Sequence, residues 1–236
     1  MTTLEIILLV VSSLLAVLFI AVRTMKGGIV GLLLKTLASF AFVSTSIVAI
    51  IVSSATGNIK IAMGLIAIGL LLGMIGDIVL DLKVIYDGND KWYLNSGMLS
   101  FSIGHGFYFA AFSLIAIENG GKLLLPIIIG VGAGLVLTIV TLLSAKPLKL
   151  NFGKFLFQAG GYSFILNFMV VFTLVLAIMG ALPYLVFIGL LVFLLSDLVL
   201  STQYFGGKLH NKPLIAINHA LYYAAQLIIV AFALGL

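Results

Sequence analysis

Apolar residues run through this chain in long stretches, separated by short clusters of charge, glycine and proline. Eight such stretches can be read, over residues 4–22, 29–52, 61–82, 94–117, 123–143, 155–179, 182–204 and 213–234. Each holds about 20 residues, enough to cross a hydrocarbon core of roughly 30 Å as a helix. The connections between them are too short for a soluble domain. Residues 1–236 are therefore expected to form one all-α, polytopic membrane domain of eight transmembrane helices.

Composition agrees with the pattern. The chain is 63% hydrophobic and 8% charged, against roughly 25% charged in soluble domains. The first stretch follows an acidic residue, Glu5, and is itself followed by Arg23 and Lys26. A cleavable signal has its basic residues in front, so this stretch is expected to be retained. With no cysteine, neither a disulfide nor thiolate chemistry is available.

The net charge of +5 acquires meaning from where the basic residues fall. Arg23, Lys26, Lys83, Lys91, Lys146, Lys149, Lys154, Lys208 and Lys212 lie at one side of the expected layout, and only Lys60 and Lys122 at the other. Lys35 falls within the second stretch. The positive-inside rule then sets the nine in the cytoplasm and both termini outside. Such loops orient a membrane protein and meet anionic headgroups, so the lipid bilayer is the expected partner and nucleic acid is not. Oligomeric state cannot be read from the sequence.

Against this apolar background one motif occurs twice. GDIVLDL is followed by GHGFYFAA, and SDLVLST by NHALYYAA, placing Asp77 with His105 and Asp197 with His219. The offset is four helices, so both copies enter the membrane with the same polarity, as a parallel four-plus-four repeat would. The remaining stretches align poorly. Gly69, Gly73 and Gly76 permit close helix approach; ordinary packing accounts for them.

Ionisable groups at membrane depth are costly and by default mark a functional site. With 1.5 Å of rise per residue, Asp77 and Asp197 lie roughly 8 to 12 Å from the cytoplasmic ends of their spans, and His105 and His219 about 9 to 16 Å. Lys35 falls in the same layer. Positions three and four apart share a helix face, which links Asp77 with Asp81, His105 with Tyr108, Gln158 with Tyr162, and His219 with Tyr222, Tyr223 and Gln226. A polar cavity open to the cytoplasmic leaflet follows. Asp81, near the span end with Lys83, reads more readily as a solvated charge at headgroup level. Asp87, Asp90 and Lys91 read as loop charges without chemistry.

A carboxyl pair whose surroundings differ can divide acid and base roles. Two aspartates and two histidines would also suit zinc with an open water position, but no HExxH-like pair on adjacent turns is present. Neither a GxSxG elbow nor a glycine-rich phosphate loop occurs. Carboxyl chemistry without metal or cofactor is the expectation. A proton-coupled transporter or lipid-binding protein is the alternative, since mid-depth acids and parallel repeats suit that class too.

At these residues the sequence resembles the YhhN family of bacterial membrane proteins, related to the animal lysoplasmalogenases. The resemblance covers most of the chain. It rests on Lys35 early in the second span, Gly76–Asp77, Phe101 with His105 and Tyr108, Ser196–Asp197, and Tyr223 with Gln226. The family pattern has proline after the lysine, where this chain has Thr36, and asks for no histidine at His219. The resemblance implies a bacterial inner-membrane enzyme that hydrolyses the vinyl ether of a lysophospholipid-like substrate to a fatty aldehyde and a glycerophospho head. Asp77 and Asp197 would be its catalytic acids. Lys35, His105, Tyr108, Tyr223 and Gln226 would orient substrate or acids, with Asp81 and His219 as further candidates.

Overall fold

The computed structural model describes residues 2–86 and 90–236. The loop charge Asp87 lies outside them, as does the side chain of Asp90. Eight α-helices form among the described residues: α1 (Thr3–Met25), α2 (Gly28–Val52), α3 (Gly57–Ile85), α4 (Asp90–Glu118), α5 (Leu124–Ser144), α6 (Leu156–Ile178), α7 (Tyr184–Tyr204) and α8 (Lys212–Leu234). All eight are long and apolar enough to cross a membrane. The protein is an integral membrane protein built from helices.

Several helices outrun their apolar stretches. α3 begins at Gly57 and α4 at Asp90, each about a turn before the hydrophobic pattern starts. Hydropathy marks only the segment that meets hydrocarbon. The backbone continues beyond it because intrahelical hydrogen bonds satisfy the chain in either medium. The ends are set by local chemistry. Thr2 and Glu5 form a capping box on α1, and the Asn211 side chain caps α8 ahead of Pro213, where a missing N–H costs nothing. α1 and α2 join through Lys26 and Gly27. Gly27 has φ 64°, a left-handed conformation that suits glycine.

Seven helices close a ring in which α1 packs on α2, α2 on α3, α3 on α4, α4 on α6, α6 on α7, α7 on α8, and α8 on α1. α5 lies outside, chiefly against α6. Its buried residues Pro126, Gly130, Gly134 and Thr138 recur every fourth position, so one narrow stripe of small side chains touches α6. A Cβ on Gly134 would come within 3.1 Å of the Phe168 backbone. α1 and α5, counterparts in the expected repeat, thus sit differently, and the arrangement does not establish the repeat.

α3 and α4 pack through glycines that receive rings. Phe101 lies over Gly76 and Tyr108 over Gly69, seven residues apart on each antiparallel helix. A Cβ at Gly76 would sit 2.7 Å from Phe101 Cε2, so Gly76→Ala must push the ring aside. Overpacking of this kind costs about 1–3 kcal/mol. Gly76→Ala should therefore lower the thermal midpoint in detergent, while Gly64→Ala, which meets nothing within 4 Å, should not.

Candidate active site

A chain of buried charges crosses α1, α2 and α3 near the end of the bundle where α1, α3, α5 and α7 finish. Lys35 Nζ lies 3.2 Å from Asp77 Oδ1 and 3.3 Å from Asp81 Oδ1. Arg23 Nη2 reaches the same Asp81 oxygen at 3.3 Å. All four residues are buried, none above 7% exposed. Their order is fixed by helical spacing: Asp77 and Asp81, four apart, share the face of α3 turned toward α2, and Lys35 lies between them. Two carboxylates and two cations balance, as charges so far from water require.

This corrects two sequence-based expectations. Asp81 is not a solvated charge at headgroup level; it bridges Lys35 and Arg23 at 2% exposure. Arg23 is not a loop charge, because its side chain turns inward over α2. Lys83, the expected companion of Asp81, instead extends over the Tyr204 ring, 5.3 Å from its centroid.

Ser39, one turn after Lys35 on α2, donates to Asp77 Oδ2 at 2.9 Å. The Tyr223 hydroxyl lies 3.4 Å from Ser39 Oγ and 3.4 Å from the Lys35 carbonyl oxygen. Asp77 thus meets an ammonium and a hydroxyl, both from α2, and Tyr223 backs that pair from α8. Phe42 and Phe19 pack on the Tyr223 ring, fixing its approach.

Asp197 arrives from α7 with different company. The Tyr162 hydroxyl of α6 donates to its Oδ2. Among the described residues no cation pairs with it. Its rotation is set by its neighbour Ser196, whose Oγ and carbonyl oxygen accept from Asn218 Nδ2 at 3.1 and 2.9 Å. That contact pins α7 to α8.

Asp77, Asp81, Lys35, Arg23, Asp197 and His219 line one small polar cavity of about 30 Å³, with Asn218, Gln203, Tyr204 and Tyr222 among its walls. A second, larger groove of about 360 Å³ runs between α4, α5, α6 and α7, walled by Met98, Leu142, Leu148, Phe152, Leu166 and other apolar side chains. Leu80, Phe101, Asp197, Leu200 and Tyr204 border both spaces. Asp197 therefore stands where an apolar channel meets a charged one.

Of the residues singled out by sequence, Lys35, Asp77, Asp81, Asp197 and His219 come together. Gln226 is one step removed, donating to the Tyr222 hydroxyl at 2.8 Å. His105 is turned away: its Nδ1 contacts the Phe101 carbonyl at 2.8 Å and its ring sits edge-on to Phe193. Tyr108 packs on Gly69 and stacks with Phe112, and its hydroxyl finds no hydrogen-bond partner among the described residues. Both belong to the core between α3, α4 and α7. His219 lines the cavity, with Phe19 against its ring at 4.9 Å. No three His, Asp or Glu side chains converge as metal ligands among the described residues.

Arg23, Ser39 and Asn218 were missed. Arg23 was counted among topology-setting charges, and Ser39 and Asn218 give no signal until their helices are rotated into place. Arg23 was findable, because Asp81, an acid within reach of membrane depth, calls for a cation at the same level on a neighbouring span.

The sequence model of the YhhN family matches residues 31–233, most of the chain. The chain belongs to the YhhN family. No curated protein and no solved structure matches it. The YhhN match begins after Arg23, so the family segment holds Lys35, Asp77, Asp81 and Asp197, while the fourth charge of the cluster comes from α1. The YhhN bundle thus draws its candidate site from α2, α3, α7 and α8, closed at one edge by the preceding helix.

Proposed function

We propose that this YhhN protein is a membrane-embedded hydrolase that cleaves the vinyl ether of lysoplasmalogens by carboxyl chemistry. The observation that carries the reading is the position of Asp197 on the boundary between the apolar groove and the charged cavity. The groove, about 360 Å³ with mostly apolar walls, suits a single alkenyl chain. The polar end of the lipid then faces the cavity. The distribution of basic residues supports entry from the cytoplasmic leaflet.

In this mechanism Asp197, which has no cation partner, delivers a proton to the alkenyl carbon one bond removed from the ether carbon. The double bond's electrons form the new C–H bond, leaving an oxocarbenium ion on the carbon attached to oxygen. Asp77, which acts here as the carboxylate paired with Lys35 and Ser39, stabilises that cation. Water adds to the cationic carbon and gives its proton back to Asp197. The hemiacetal collapses as its hydroxyl proton is passed to the departing glycerol oxygen, breaking the carbon–oxygen bond to the glycerol and releasing a fatty aldehyde and the glycerophospho head. Tyr162 holds the Asp197 carboxyl in one rotamer, which is orientation rather than chemistry.

Purified protein in detergent, given lysoplasmalogen and a panel of ordinary lysolipids, should release aldehyde from the vinyl ether alone. Binding without any aldehyde would overturn the reading in favour of a lipid-binding or transport protein. A chelator should leave turnover unchanged. The groove makes its own prediction: Ala159→Phe places a ring where the chain would lie, and KM for long-chain substrate should rise by about tenfold or more, with short-chain turnover retained. Equal effects on both would detach the groove from the substrate.

A further inference from the structure

Arg23 touches neither Asp77 nor Asp197, yet it ends the charge chain on which Asp77 depends. The sequence of contacts is Arg23 Nη2 to Asp81 Oδ1 at 3.3 Å, Asp81 Oδ1 to Lys35 Nζ at 3.3 Å, and Lys35 Nζ to Asp77 Oδ1 at 3.2 Å. Signs alternate along it and sum to zero. The local backbone is arranged to bring Arg23 there. The tight turn at Gly27 folds α1 back on α2, and Gly31 offers no Cβ where the arginine crosses: one would lie 3.1 Å from Arg23 Cδ and 3.2 Å from Nη1.

We infer that Arg23 is a positioning residue that fixes the charge of Asp77 through Asp81 and Lys35. Arg23 supplies Asp81 with a cation of its own, so the Lys35 ammonium serves Asp77 in full. Without Arg23, two buried carboxylates share one ammonium. An uncompensated charge at such a place is relieved by proton uptake rather than tolerated. One carboxyl then takes a proton, Lys35 is drawn to the other, and the Asp77 carboxylate is no longer defined.

A competing account makes Arg23 only a clamp for α1. That helix has other attachments: Phe19 packs on His219 and Tyr223, and Ser12 Oγ meets Thr45 Oγ1 at 3.2 Å. The two accounts part in a pair of variants. Arg23→Met removes one positive charge; Arg23→Met combined with Asp81→Asn removes one of each sign, so the clamp is absent from both while balance is lost only in the first.

Two readouts are needed, because the activity arm rests on the hydrolase reading and the spectroscopic arm does not. In infrared difference spectra against wild type, Arg23→Met should gain the C=O stretch of one additional protonated carboxyl, and the double variant should not. In aldehyde release, Arg23→Met should fall by about a hundredfold and the double variant recover to within about tenfold of wild type, the scale expected for a misplaced catalytic group. Arg23→Lys should keep the wild-type infrared spectrum.

If Arg23→Met does not fold and the double variant does, charge balance is again the cause and the inference stands. Loss of folding in both, or equal inactivity in both with no extra carboxyl band, makes Arg23 a clamp and overturns it. Wild-type protein that releases no aldehyde removes the hydrolase reading and leaves the infrared comparison intact.

Discussion

Asp197→Asn in folded protein should lose vinyl-ether hydrolysis by about 10²- to 10⁴-fold, the range a positioned acid contributes. Asparagine keeps the shape and can still meet the Tyr162 hydroxyl, but it has no proton to deliver to carbon. Binding of substrate should change little, because the apolar groove supplies the chain's contacts and is untouched. The measurement is single-turnover aldehyde release alongside a binding titration. Near-normal turnover would move Asp197 to a structural role beside Ser196. Tyr162→Phe is the graded companion: the carboxyl remains and only its orientation loosens, so the loss should be clearly smaller than for Asp197→Asn.

Lys35→Met should have the largest effect on stability. It strips the shared cation from Asp77 and Asp81, both at 3% exposure or less, leaving Arg23 to balance one of two carboxylates. Removing one partner of a buried ion pair costs about 3–5 kcal/mol, because the charge left behind has neither water nor partner. A fall in the thermal midpoint checks this. Adding Asp77→Asn to Lys35→Met should restore much of the stability and none of the activity. A stable single variant would mean that a carboxyl takes up a proton at little cost or that water reaches the cluster.

The membrane architecture was legible because hydrocarbon imposes a crude, strong demand on composition, and eight apolar stretches satisfied it one for one. Helix ends were less legible, since the backbone of α3 and α4 runs on past the apolar segment for its own hydrogen bonds. The gathering of Lys35, Asp77 and Asp197 followed from depth alone, which sequence gives well. Rotation about the helix axis is what it gives poorly. The i, i+4 spacing of Asp77 and Asp81 already put them on one face, and closeness to the span end outweighed that in the reading of Asp81. His105 and His219 occupy matching places in the repeated motif, yet one is turned to Phe193 and the other to the cavity. Only the packing of α4 on α3 and of α8 on α1 decides that difference.

The polar spaces occupy one end of the bundle. Beyond the level of Tyr108 and Gln226, the core is filled by Phe112, Phe172, Ile115, Leu176 and Val230, all at 2% exposure or less. Aromatic and aliphatic side chains dominate there, and the polar groups buried among them, such as Ser46, Ser113 and Thr173, are hydroxyls without charge. In the proposed reaction a proton taken up by the aspartates returns most directly through the end where they lie, so that turnover would move no net charge across the bilayer. A cell can keep such a site working in an energised membrane without short-circuiting its own battery.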